Sequence, residues 1–179
     1  KCLRENQLVI FKTSKGDFEV ILNGKLYPLT VNNFIANIRK NIYKNRNFYK
    51  IIKYSNVKVI HSGINSKNSY FSEKNKTLNN LLTSIPLEIS IKNNLEPKYK
   101  YQVVDPFEIV ELETFFERGS LAMVKKGQKS SSATEFFFVT DKTPELDGRY
   151  SIFGIVVKGY EILKNIEKTD VLYEIKLSN

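Results

Sequence analysis

The chain has 179 residues, 41% hydrophobic and 26% charged, with one cysteine, one histidine and a formal charge of +9. Cys2 alone excludes an internal disulfide, Cys2 with His61 is too small a set for a structural zinc site of about four Cys or His ligands, and no apolar run reaches the roughly 20 residues of a spanning helix. Arginine occurs only at Arg4, Arg39, Arg46, Arg118 and Arg149; the remaining bases are lysines scattered among Asn and Ile, a solvated coat typical of AT-rich coding rather than a nucleic-acid reader built on bidentate Arg.

The length fits one domain over 1–179 with a core able to fold unaided. The chain opens at Lys1 rather than Met, which fits a removed leader, and Cys2 reads as an incidental thiol. Leu8-Val9-Ile10-Phe11 and Phe18-Glu19-Val20-Ile21-Leu22 are β-rich runs joined by the turn chemistry of Ser14-Lys15-Gly16-Asp17, a hairpin. Asn23-Gly24 marks a second turn. Pro28 and Thr30 open a helix, with Thr30 as the expected N-cap. Val31, Phe34, Ile35 and Ile38 fall on one stripe, and Arg39 and Lys40 lie at the favourable end of the dipole.

Residues 48–52 and 57–60 are short β-type runs, and 62–80 is a long polar loop rich in Ser, Asn and Lys. Residues 86–91 alternate like a single strand, Glu96-Pro97-Lys98-Tyr99 reads as a loop, and 107–116 holds a short helix. The C-terminal part returns to strands at 121–124, 136–139, 152–157 and 171–177, with a turn at Asp147-Gly148 and a helix over 159–166. Many short strands with two helices and no βαβ alternation predict a mostly β fold, a closed antiparallel barrel of about eight strands capped by two helices.

The order and wording of these runs carry more than their patterning. Gly119-Ser120-Leu121-Ala122-Met123, then Thr134-Glu135-Phe136-Phe137-Phe138-Val139-Thr140, then Leu146-Asp147-Gly148-Arg149-Tyr150-Ser151-Ile152-Phe153-Gly154 resembles the central signature of the cyclophilins. Gly16-Asp17-Phe18 with Pro28-Leu29-Thr30-Val31-Asn32-Asn33-Phe34 is similar to that family's first hairpin and helix, and Phe48-Tyr49-Lys50-Ile51-Ile52 to its catalytic strand. The resemblance covers about 8–177. Ile85-Pro86-Leu87-Glu88-Ile89 and the long insert before Gly119 are similar to the cyclophilins of photosynthetic bacteria and the thylakoid lumen, which implies an exported protein of the periplasm or lumen.

The resemblance implies a peptidyl-prolyl cis-trans isomerase that acts on proline-containing polypeptides as a monomer, without cofactor or metal. Such an enzyme needs a pocket for the proline ring and a group that favours the twisted amide. In cyclophilins that group is an arginine, assisted by a Gln. Here Lys50 falls on the arginine and His61 on the Gln, the two expected catalytic residues. The implied pocket and groove comprise Lys58, Val59, Phe137 and Leu146, with Val124 and Lys125 on the strand that contacts substrate backbone. Glu135 falls on a Gln, Glu145 where many members carry Trp, and Tyr150 where many carry His. Glu135 and Lys50 read as separate solvated charges, and Lys50, Lys58 and Lys125 make the groove cationic. The rival readings are a non-catalytic cyclophilin that assists exported proteins and, ranked last, a basic nucleic-acid module whose binding is salt-dependent.

Overall fold

Period-two alternation in the first two runs becomes a hairpin of β1 (Gln7–Thr13) and β2 (Gly16–Leu22), which bury Val9, Phe11, Phe18, Val20 and Leu22 on one face. This computed structural model describes residues 5–65 and 84–178. Cys2 and the expected loop residues 66–80 lie outside that set.

Helix α1 (Pro28–Arg39) turns Val31, Phe34, Ile35 and Ile38 into the main core, as their spacing requires. Its N-cap is Tyr27, not Thr30, and Pro28 occupies the first turn. The capping acceptor comes from elsewhere. The buried Glu88 carboxylate accepts the Leu29 and Thr30 backbone N–H groups at 3.1 and 2.9 Å. A tertiary carboxylate thus replaces the local hydroxyl, satisfying donors that the helix leaves open.

After α1 come β3 (Arg46–Asn47), β4 (Lys50–Tyr54) and β5 (Val57–Gly63). The expected strand over 86–91 is broken at Leu87. β6 (Ser84–Pro86) pairs with the start of β10 (Ser130–Val139), whereas β7 (Glu88–Ile89) pairs with β8 (Lys98–Tyr99), within the segment expected to be a loop. Leu87, Ile89, Val103 and Leu112 form a small separate core beneath this insert, which also holds the short helix α2 (Pro106–Ile109). β9 (Ser120–Gly127), a 3-10 turn (Pro144–Leu146), β11 (Ile152–Lys158), α3 (Tyr160–Lys164) and β12 (Val171–Leu177) complete the order.

The main sheet runs β3-β12-β1-β2-β11-β9-β10-β5-β4, with β6 branching from β10. It is a curled antiparallel half-barrel of nine strands, not the closed barrel expected from the patterning. The physical reason lies at Phe48-Tyr49. Phe48 turns into the core, fully buried, and divides one extended run into β3, bonded to β12, and β4, bonded to β5. The sheet's two ends are therefore consecutive pieces of the same chain. Inside the curl, Phe11, Phe18, Phe34, Phe136 and Phe138 pack in stacked and edge-to-face pairs, with Phe11 and Phe18 4.9 Å apart.

Candidate functional site

β10 sends Phe136 and Phe138 into the main core and Phe137 to the opposite face. On that face Phe137 lies opposite His61 of β5, and His61 opposite Lys50 of β4. Cross-strand partners share a face, so Lys50, His61 and Phe137 form one row over three strands. They line a pocket of about 360 Å³. Ile52 and Tyr54 extend its β4 wall, Val59 adds β5, Val124 and Lys125 add β9, and Leu146 and Tyr150 close the far side.

The aromatic wall is fixed by its own packing. Phe137 stacks on Phe116 at 5.8 Å and meets Tyr150 edge-on at 5.2 Å. Asp147 holds this arrangement from behind, its Oδ1 accepting the Phe116 N–H at 2.7 Å. Gly148 follows at φ +72°, where a Cβ would lie 2.3 Å from the Val103 carbonyl oxygen, so the insert packs directly on the loop that carries Leu146 and Tyr150.

His61 stacks on Phe137 at 5.4 Å, and its Nε2 is buried without a hydrogen-bond partner among the described residues. Burial, and then the positive charge of Lys50, pull its pKa from 6.5 down to about 4. The imidazole is therefore neutral at neutral pH. Lys50 itself is exposed at the pocket mouth.

A second depression of about 450 Å³ adjoins the first. It shares Lys50, His61, Val124 and Lys125 and adds Tyr49, Asn65, Lys126 and Glu135.

A protein-family model described as cyclophilin type peptidyl-prolyl cis-trans isomerase/CLD matches residues 8–177. The chain belongs to the cyclophilin family. Among its relatives is a Synechocystis protein named as a thylakoid lumen peptidyl-prolyl cis-trans isomerase, 26% identical over 98% of this chain and 48% of that protein. An Arabidopsis thaliana peptidyl-prolyl cis-trans isomerase is 26% identical over 89% of this chain and 60% of its own length. The cyclophilin described here thus spans about half the length of such relatives. The fold matches a crystal structure of a Cryptosporidium parvum cyclophilin type isomerase with a TM-score of 0.67 at 22% identity, covering 98% of this chain and 99% of that one. A Hirschia baltica cyclophilin gives 0.68 at 17% identity, over 99% and 76%.

Eight of the residues expected in the cyclophilin's site line the main pocket: Lys50, Val59, His61, Val124, Lys125, Phe137, Leu146 and Tyr150. Three are placed elsewhere. Lys58 lies outside the groove because strand alternation turns it the other way. Its Nζ bonds the Lys164 and Ile166 carbonyls at 2.9 and 3.1 Å and Glu167 at 2.7 Å, closing the C-terminal end of α3. Glu145 sits on the rim, where its Oε1 accepts the Tyr54 hydroxyl at 2.8 Å. Glu135 is buried rather than solvated. It takes hydrogen bonds from the Tyr49 and Ser132 hydroxyls at 3.1 and 3.3 Å; burial, and then this carboxylate, raise the Tyr49 pKa.

Sequence reasoning missed Ile52 and Tyr54, and also Tyr49, Asn65 and Lys126 of the second depression. The signal for Ile52 and Tyr54 was present: once Lys50 faces a groove, i+2 and i+4 of a strand face it too.

Proposed function

We propose that this cyclophilin catalyses cis–trans isomerisation of X-Pro bonds in polypeptides and so assists folding, at a rate lowered by its altered pocket. Rotation about that bond is slow because amide resonance imposes a barrier of about 18–20 kcal/mol. Lowering it takes no nucleophile or metal. It takes a seat for the ring and a group that interacts more strongly with the twisted amide than with the planar one.

The row Lys50–His61–Phe137 is the observation that carries this reading. Phe137, Val59 and Leu146 offer an apolar seat for the proline ring, and Val124 and Lys125 lie beside it for the flanking backbone. In the proposed roles, the Lys50 ammonium donates toward the prolyl nitrogen as it regains its lone pair. Neutral His61 uses its open Nε2 to hold substrate backbone. Lysine supplies charge without the planar fork of arginine, which is the source of the lowered rate.

NMR exchange spectroscopy on a short X-Pro peptide, at high protein concentration, tests the proposal. Exchange faster than in buffer, lost in Lys50→Ala, supports it. Binding with unchanged exchange favours the second reading, a non-catalytic chaperone or assembly factor, which the replacement at position 50 itself motivates. We place the protein in the periplasm or thylakoid lumen, a reading supported by its lumenal relative and tested by fractionation of the native cells. No helix among the described residues is long and apolar enough to cross a membrane.

A further inference from the structure

The main pocket has two kinds of support. Lys50, Val59, His61 and Phe137 stand on β4, β5 and β10, which the ladders of the sheet hold in place. Leu146 and Tyr150 come instead from the segment between β10 and β11, which belongs to no strand. Its backbone bonds from Leu146 N–H to Thr143, Asp147 N–H to Pro144 and Arg149 N–H to Leu146 reach only along the turn. They shape this wall without fixing where it stands.

The fixing comes from the insert. Val103 N–H donates to the Gly148 carbonyl at 3.0 Å. Glu88 N–H donates to the Ser151 Oγ at 2.9 Å. Ser151 is fully buried, and its own carbonyl accepts the Met123 N–H of β9 at 3.3 Å. It is thus clamped between sheet and insert, immediately after Tyr150, whose ring meets Phe137 and Phe116 edge-on. Glu88 is also the residue whose carboxylate caps α1. A buried hydroxyl that answers a buried backbone donor is a tie that is costly to leave unmade.

Resting on the isomerase reading of this pocket, we propose that Ser151 is a positioning residue for that reaction. Through Tyr150 it sets the wall against which the proline ring is held, and the insert carrying Glu88 and Val103 is the element that sets it. Lys50 and His61 stand on the sheet, so the role of Ser151 is exerted on substrate binding and not on the twisting of the amide.

Ser151→Thr keeps the hydroxyl acceptor, whereas Ser151→Val puts a methyl in its place at nearly the same volume, so the pair separates the tie to Glu88 from packing. Ser151→Ala removes the acceptor without added bulk and replaces the pair if the buried site rejects larger side chains. NMR exchange on one X-Pro peptide over a concentration series separates KM from kcat, calorimetry gives Kd for the same peptide, and urea midpoints report stability. Ser151→Val is expected to raise KM and Kd about threefold to tenfold with kcat within about twofold, and Ser151→Thr to stay near the wild type. Ser151→Ala is expected to behave as Ser151→Val does. Equal KM and Kd in the Val and Thr variants overturn the proposal even where the urea midpoint falls, since that marks a purely structural hydroxyl. A fall in kcat with KM unchanged overturns it too. Wild-type protein that binds the peptide without accelerating exchange removes the isomerase reading, and the Kd values then decide the placement of the wall alone. Wild-type protein that neither binds nor accelerates overturns both.

Discussion

Lys50 and His61 face each other across the β4–β5 ladder, and the ammonium of one helps to keep the imidazole of the other neutral. The unfolded chain binds a proton at His61 with its ordinary pKa of 6.5, whereas the folded chain resists it until about 4. Stability from this group is therefore full above about pH 6.5 and is lost as pH falls toward 4, by at most about 3 kcal/mol. Urea unfolding at pH 7 and pH 4.5 is expected to show this loss in the wild type and less of it in His61→Gln. His61 is the only histidine, so one imidazole resonance reports the titration. Lys50→Gln is expected to raise its pKa, but by less than the full displacement, because burial is the larger cause.

Lys50→Arg is expected to accelerate peptide isomerisation several-fold, since arginine restores a directional donor at the same place. NMR exchange rates on one X-Pro peptide, compared at equal protein concentration, measure it. An unchanged rate in a folded variant would remove Lys50 from the chemistry.

Glu88→Ala strips α1 of its tertiary cap and leaves the Leu29 and Thr30 N–H groups unanswered beneath the insert. The expected cost is about 1–3 kcal/mol, read as a lower urea midpoint. Glu88→Gln keeps one acceptor oxygen and is expected to lose less.

Lys58→Met separates the two placements considered for this lysine. From β5 its Nζ reaches the end of α3, where it supports carbonyls and Glu167 rather than substrate. The variant is expected to lose up to about 1 kcal/mol of stability with X-Pro affinity unchanged. A clear change in affinity with intact stability would return Lys58 to the groove.

The first hairpin, α1 and the C-terminal strands were legible because each is specified locally, by alternation, a stripe or a turn residue. The order of motifs then pointed to the family and to most of the pocket. What escaped was set by distant partners. Thr30 had the chemistry of a cap, but Glu88 reached the open donors first. The run over 86–91 alternates throughout, yet Leu87 ends one pairing and Glu88 begins another. Glu135 looked solvated because nothing in its neighbourhood of sequence announces Tyr49, 86 residues away. Lys58 lies one residue from Val59 on β5, and strand alternation puts it on the opposite face from the pocket.

The break at Phe48-Tyr49 has a bearing on self-association. Among the described residues nothing pairs with the far side of β4, so the wall that carries Lys50, Ile52 and Tyr54 is also an open sheet edge. Such edges template pairing with other chains unless charge discourages it, and lysine is the usual guard. Lys50 and Lys53 occupy this edge, while the exposed Ile52 and Tyr54 beside them would favour stacking. A lysine at position 50 thus sets a charge on this edge whatever it contributes to catalysis, and an apolar residue there would leave Ile52 and Tyr54 on an edge with one charge fewer.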